Sequence, residues 1–285
     1  MSTTVDTGER LIDKTLQINA PAEQVWKALT EPGELVRWFP LQAEVEPGAG
    51  GRIWLAWGDY WRGRHDIEIW EPGSHLRTTW PVGNEIGQTP EGDPFDAPTD
   101  ADGNMAQLTV DYFLEGEGGT CTLRLVHTGF GKGAQWDDWY DGIRRGWDYE
   151  LECLRHYLEN HRGTDRHVAW VRRAIDRSGE AGFDAVFGPD GLLTRGSVTG
   201  LAPGDPYSLV AFDGSHVQGR VLVNDAGAQF AGTIDELNNG CFRVESFCHG
   251  DSQEINVFIA TWDVPEQRVR ELESRWQERL QQLYA

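Results

Sequence analysis

The sequence predicts an α+β protein of two tandem domains, residues 1–163 and 164–285, each a curved antiparallel sheet around a long C-terminal helix. Three observations predict it. The stretch Gln135–Asn160 spaces Trp136, Tyr140, Ile143, Trp147, Leu151, Leu154 and Leu158 three or four residues apart, the apolar stripe of one long helix. Ahead of it, apolar and polar residues alternate in short segments broken by Gly- and Pro-rich turns, as antiparallel strands do. Behind it, a similar order of short helices, strands and a terminal amphipathic helix recurs.

Taken in order, Leu11–Ile18 alternates as a strand. Asn19-Ala-Pro-Ala-Glu-Gln then starts a helix, with Pro21 in the first turn and Glu23 at the positive end of the helix dipole. Val25, Trp26 and Leu29, then Leu35, Trp38 and Phe39, give two short amphipathic helices broken at Pro32-Gly33. Period two takes over at Ala43–Glu46. Ile53, Leu55 and Trp57 share one strand face, Ile67 and Ile69 the next, and Leu76, Thr78 and Trp80 a third. Pro81–Asn104 is rich in Pro, Gly and Asp and reads as a long loop. Two strands follow, with Leu108, Val110, Tyr112 and Leu114, then Cys121, Leu123, Leu125 and His127, turned inward. The long helix comes next, about 39 Å if roughly 26 residues are helical. Asp137, Asp138, Arg144, Arg145, Asp148, Glu150, Glu152, Arg155 and Glu159 leave most of the rest of its circumference solvated. Gly142 and Gly146 weaken it, which points to close packing of another backbone or to room beside the helix.

In the second half, Arg162–Asp165 reads as a linker and His167–Arg177 as a short helix with Val168, Val171 and Ile175 on one face. Phe183-Asp-Ala-Val-Phe before Gly-Pro-Asp-Gly parallels Val25–Leu29 before Thr-Glu-Pro-Gly. Strands follow at Tyr207–Phe212, Val217–Val223, Ala228–Leu237, Cys241–His249 and Glu254–Trp262. A last helix opens at Pro265 with the stripe Val269, Leu272, Trp276, Leu280 and Leu283. No strand is evident before Phe183, so this copy is expected to lack its first strand or borrow one. The alternative is an appendage that covers the first domain.

Composition narrows the function classes. The formal charge is −21, which repels phosphate backbones and makes nucleic acid and anionic membrane poor partners. No apolar run is long enough to span a bilayer and no signal-peptide core is present, so a cytoplasmic location is expected. Cys121, Cys153, Cys241 and Cys248 lack CxxC spacing and sit in apolar periodic segments, as reduced buried thiols do. Of 13 tryptophans, those before Asp148 give the first half an aromatic content beyond the needs of an ordinary core.

Five blocks together carry a family resemblance: APAEQVWKALTEPGELVRWF (Ala20–Phe39), GGRIWL (Gly50–Leu55), HLRTTW (His75–Trp80), LTVDYFLEGEGGTCTLRLVHTGF (Leu108–Phe130) and GWDYELECLRHYLEN (Gly146–Asn160). In this order they resemble the helix-grip (START-like, SRPBCC) superfamily, in the branch similar to the activator of heat-shock-protein-90 ATPase, over about Leu11–Arg162. The resemblance implies a helix-grip fold for this half, with an apolar cavity between sheet and C-terminal helix; the repeated element order of the second half makes that half a second, divergent helix-grip domain. Lipid and hormone carriers and polyketide cyclases share that plan, so it does not by itself fix a function.

Strand parity puts Trp57, Trp80, Tyr112 and His127 on one sheet face, with Trp147 of the helix opposite them. These five are the candidate ligand-binding residues, with His127 and Tyr112 as polar anchors of an aromatic-lined cavity. The competing reading is a ring-filled core in which His127 bonds a backbone carbonyl. His65, in WRGRHD, is expected at a rim, and Asp111, Glu68 and Arg124 on the solvated outer face. No histidine pair has metal-ligand spacing, no serine or cysteine stands in a nucleophile motif, and the Gly129-Phe-Gly-Lys-Gly run lacks the P-loop ending. No metal, cofactor or catalytic residue is therefore expected. The expected partner is an apolar or aromatic small molecule bound without a covalent step, and a homodimer is left open. The alternatives are a cyclase- or dehydratase-type enzyme using the same cavity and a chaperone-associated interaction module.

Overall fold

The computed structural model describes residues 10–81, 86–87, 99, 106–249 and 252–285. They divide into two compact units. Of these, the first holds residues 10–87, 99, 106–144 and Leu154–Asn160 as far as they are described, and the second holds Arg145–Cys153 and the described residues from His161 on.

In the first unit, strand β1 (Arg10–Ile18) leads into helix α1 (Ala22–Thr30) and the single turn α2 (Pro32–Leu35). Helix α1 opens after Pro21, pairs Glu23 with Lys27 at 2.8 Å and buries Val25, Trp26 and Leu29. Strands β2 (Gln42–Glu46), β3 (Arg52–Trp57), β4 (Trp61–Glu71), β5 (His75–Pro81), β6 (Ile86–Gly87), β7 (Gln107–Glu117) and β8 (Thr120–Phe130) follow, and then helix α3 (Ala134–His156), which ends in a π turn over Tyr157–His161. The sheet order is β1-β8-β7-β5-β4-β3-β2, with β6 on β4, and every pairing is antiparallel. The loop expected over Pro81–Asn104 lies largely outside the described residues.

One strand departs from the expected parity. Between Ile67 and Ile69 the β4–β5 register slips, so that Ile67 stands opposite Thr78 but Ile69 opposite Arg77 and Trp70 opposite Leu76. A bulge carries one extra residue and reverses the faces beyond it. Ile69 therefore leaves the inward face, and Trp70 meets Trp26 of α1 edge-on, ring centroids 5.1 Å apart.

The second unit consists of β9 (Arg166–Ile175), α4 (Gly179–Val186), β10 (Leu193–Arg195), β11 (Pro206–Ala211), β12 (His216–Asp225), β13 (Gln229–Ile234), β14 (Gly240–His249), β15 (Ser252–Trp262) and α5 (Glu266–Leu283), with Arg145–Cys153 of α3. Its sheet runs β10-β11-β12-β13-β14-β15-β9, so in both units the first strand pairs with the last and the others follow as a meander.

Strand β9 corrects the helix expected over His167–Arg177. Ala169 and Val171 turn into the core opposite Ile259 and Val257. On the other face the Trp170 indole N–H bonds Asn256 Oδ1 at 3.2 Å, and Arg172 pairs with Glu254 at 2.7 Å. The three- and four-residue spacing of Val168, Val171 and Ile175 mimicked a helix stripe because this strand is packed on both faces. It is the first strand thought to be missing. Its edge is closed where Glu273 of α5 accepts from the Trp170 backbone N–H.

The stripe of α5 buries Val269, Leu272, Trp276 and Leu280 as expected. The long helix α3 differs from expectation on its other side. Within the second unit, Arg145 and Tyr149 are buried: Arg145 donates to Ser246 O at 2.8 Å, and the Arg243 guanidinium lies 4.7 Å from the Tyr149 ring centre. The helix thus has a second buried face where a solvated one was expected. A Cβ added at Gly146 would meet nothing within 4 Å, so close packing does not explain that glycine.

Candidate functional site

The site is built on the inward face of the first unit. Along β3 and β4, Ile53 stands opposite His65, Leu55 opposite Gly63 and Trp57 opposite Trp61. All share the side of buried Ile67. One step past the Asp66–Thr79 pair, His65 comes level with Trp80 of β5, and the two rings lie 4.4 Å apart. Trp80 meets His127 at 5.1 Å, and His127 stands between Val110 of β7 and Ile12 of β1.

The row continues at both ends. His127 meets Phe130 at 4.7 Å, and Phe130 lies edge-on to Tyr140 of α3 at 5.1 Å. From His65 it runs back through Trp61 at 6.2 Å to Trp57, a further 5.1 Å, and then to Phe39 at 5.0 Å. Such offset and edge-on pairs suit aromatic quadrupoles and hold the rings in fixed orientations. Tyr140 donates to Leu11 O at 3.1 Å, and the Trp136 indole N–H to Thr99 O at 3.2 Å, so this end of α3 is fastened to the unit by its polar atoms.

His127 and Phe130 are three residues apart, which in a regular strand would place them on opposite faces. Gly129 resolves this. Its φ is +96°, and a Cβ there would come within 2.1 Å of Gln107 O, so only glycine fits. The β1–β8 register slips at this point, Ile12 opposite His127 but Arg10 opposite Phe130. The bulge turns Phe130 back toward the row.

Four of the five expected site residues lie in the first unit. Trp80, Tyr112 and His127 are buried on the inward face, and Trp57 is half-buried in the same row. Trp147 is buried too, but within the Arg145–Cys153 segment that groups with the second unit. His65, expected at a rim, is instead 9% exposed and interior. Its alternation with Gly63 and Ile67 was the signal that could have placed it there. Asp111 does face outward, but it is only 5% exposed. Arg77 contributes two bonds to its carboxylate, at 2.7 and 3.1 Å, and His75 Nε2 a third at 2.7 Å. It is an ion-paired structural acid where a solvated one was expected.

Burial sets the electrostatics of the row. Loss of water pulls the His65 imidazole down to about 3. Desolvation does the same to His127, with a smaller contribution from neighbouring His65, and brings it to about 3. Both rings are therefore neutral near neutral pH. Burial also pushes the Tyr112 hydroxyl up, keeping it a phenol. Among the described residues, no cluster of three metal-ligating side chains occurs. No helix among them is long and apolar enough to cross a membrane.

The two units are thus tandem α+β helix-grip domains, each a curled antiparallel sheet with its first strand joined to its last. Residues 19–159, just under half of the chain, match the family described as activator of Hsp90 ATPase homolog 1-like protein. No curated protein matches the chain in sequence. Among solved structures, the chain is similar to the protein MLL2253 from Mesorhizobium loti, at 22% identity and a TM-score of 0.42, over 54% of this chain and 99% of that one. It is also similar to DynU16 from the dynemicin biosynthetic locus, at 16% identity and 0.41, over 96% and 95%. A third likeness is to the di-domain ARO/CYC BexL from the BE-7585A biosynthetic pathway, at 14% identity and 0.41, over 96% and 97%.

Proposed function

We propose that the first unit binds an apolar or aromatic small molecule between its sheet and the part of α3 that belongs to this unit, without a covalent step. The observation that carries this reading is the pair of buried neutral histidines, His65 and His127, on either side of Trp80 in a row of rings. Imidazoles taken out of water forfeit hydration that an aliphatic residue of similar size would not. A core built only for packing gains nothing from two of them. A binding surface gains oriented polar edges between apolar faces.

Proton transfer is less well supported than binding. At neutral pH both imidazoles are uncharged and the Tyr112 hydroxyl keeps its proton, so the three groups offer hydrogen bonds in place of a charged acid–base pair. Native mass spectrometry of the freshly purified protein tests the reading. A copurified mass of small-molecule size, lost on denaturation and depleted in Trp80→Ala, is the expected result. If wild-type protein carries no such mass and takes up none from a library of aromatic compounds, the reading fails.

A further inference from the structure

Nε2 of His65 is a buried polar atom with no hydrogen-bond partner among the described residues. Native interiors leave few such atoms, and each calls for an explanation. The ring lies beside Trp80 at 4.4 Å with the planes 43° apart, and Trp61 flanks it at 6.2 Å. The chain neighbours Arg64 and Asp66 pair with each other at 3.3 Å and, by strand alternation, point to the opposite face. Neither can serve the imidazole.

We propose that His65 is the recognition group of the site, its Nε2 forming a hydrogen bond with a hydroxyl of an uncharged, planar aromatic ligand. This rests on the small-molecule reading and deepens it. A hydroxyl both donates and accepts, so it satisfies Nε2 in either neutral tautomer of the ring. A planar aromatic body matches the faces and edges that Trp61, Trp80 and Phe130 present. A net charge on the ligand is disfavoured because a buried ion needs an opposite charge, and the nearest ones on β4 are spent on each other.

The test is equilibrium dialysis of the full-length protein against three probes of one shape: naphthalene, 2-naphthol and 2-naphthoate. The wild type should retain 2-naphthol roughly 10-fold more tightly than naphthalene, the usual order of effect when a buried polar atom gains its partner. It should hold 2-naphthoate more weakly than 2-naphthol. In His65→Phe, 2-naphthol and naphthalene should come within about twofold of each other. A measurement on the wild type needs no variant: the 15N shift of the His65 Nε2 should move on adding 2-naphthol and stay in place with naphthalene.

Equal retention of 2-naphthol and naphthalene by the wild type, a preference that survives His65→Phe, or a Nε2 shift that ignores 2-naphthol would each overturn the role of His65 while leaving small-molecule binding intact. Tight binding of 2-naphthoate would overturn the preference for an uncharged ligand. Failure of all three probes to bind, with no copurified mass, would take down the binding reading and this inference together.

Discussion

Acid should reveal the buried state of His127 through stability, and the effect can be worked out before it is measured. An unfolded histidine titrates near 6.5, whereas burial holds this one at about 3 in the folded protein. Between those values the unfolded chain binds a proton that the native protein refuses. Stability therefore rises with pH across this window, is complete above about 6.5, and is lost progressively as pH falls toward 3. Each pH unit is worth about 1.4 kcal/mol, so acidification from about pH 7.5 to about pH 4.5 should remove close to 3 kcal/mol on account of His127 alone. Set against a typical domain stability of about 5–15 kcal/mol, that is a large fraction.

The variant His127→Phe isolates the effect, because phenylalanine keeps a ring of similar size and cannot titrate. The 46 acidic residues titrate in both proteins and largely cancel in the difference. Urea unfolding followed by tryptophan fluorescence at the two pH values gives four free energies. The wild type should lose about 3 kcal/mol more than the variant on acidification. If the gap between them stays constant within about 0.5 kcal/mol, His127 takes up its proton while folded. The neutral, desolvated imidazole on which the site argument rests would then be wrong.

Three other expectations follow from the same structure. Asp111→Asn removes the charge that holds Arg77 and His75 on a nearly buried carboxylate, and thermal unfolding should register a loss of about 3 kcal/mol; no change would mean that the cluster is solvated. Gly129→Ala forces a Cβ against Gln107 O at positive φ, and should lower the melting temperature by the equivalent of at least about 2 kcal/mol, whereas a neutral result would remove the bulge that orients Phe130. Native protein should react with Ellman's reagent at no more than the half-buried Cys248, with Cys121, Cys153 and Cys241 appearing only after denaturation.

Most of the first unit was legible because its strands obey simple alternation. Leu108, Val110 and Leu114 are buried on β7 as their spacing requires, and Trp80, Tyr112 and His127 fall where parity puts them. What escaped was everything set by a register slip or a second partner. The slips beside Ile69 and at Gly129 each reverse a face, and a two-residue period carries no trace of them beyond the glycine itself. Residues Arg166–Ile175 misled because a strand packed on both faces loses the polar alternation that distinguishes it from a helix. Arg145 and Asp111 misled for another reason. Charge in a sequence reads as solvent exposure, yet a carboxylate or guanidinium can be buried once a neighbour supplies its bonds.

The second unit shows why topology alone cannot carry the functional argument. Its strands β12 and β15 hold the places in the meander that β4 and β8 hold in the first unit. On β12 the core residues are Val217 and Val221, and on β15 they are Ile255, Val257 and Ile259. No histidine stands among them. The rings of Phe183, Phe187, Phe230, Tyr207 and Phe242 pack on one another, and the hydroxyls of Tyr207 and Tyr284 are bonded to Thr233 O and Gly182 O. Trp276 keeps a buried indole N–H without a partner among the described residues, but that group can only donate. The same fold thus offers neutral imidazole edges in one unit and an apolar, mutually packed interior in the other. If the first unit binds through His65 and His127, a probe that depends on them should leave the second unit's residues undisturbed. A 2-naphthol footprint on Phe230 or Trp276, in place of Trp80, would show that ring content rather than the inward histidines decides where a ligand goes.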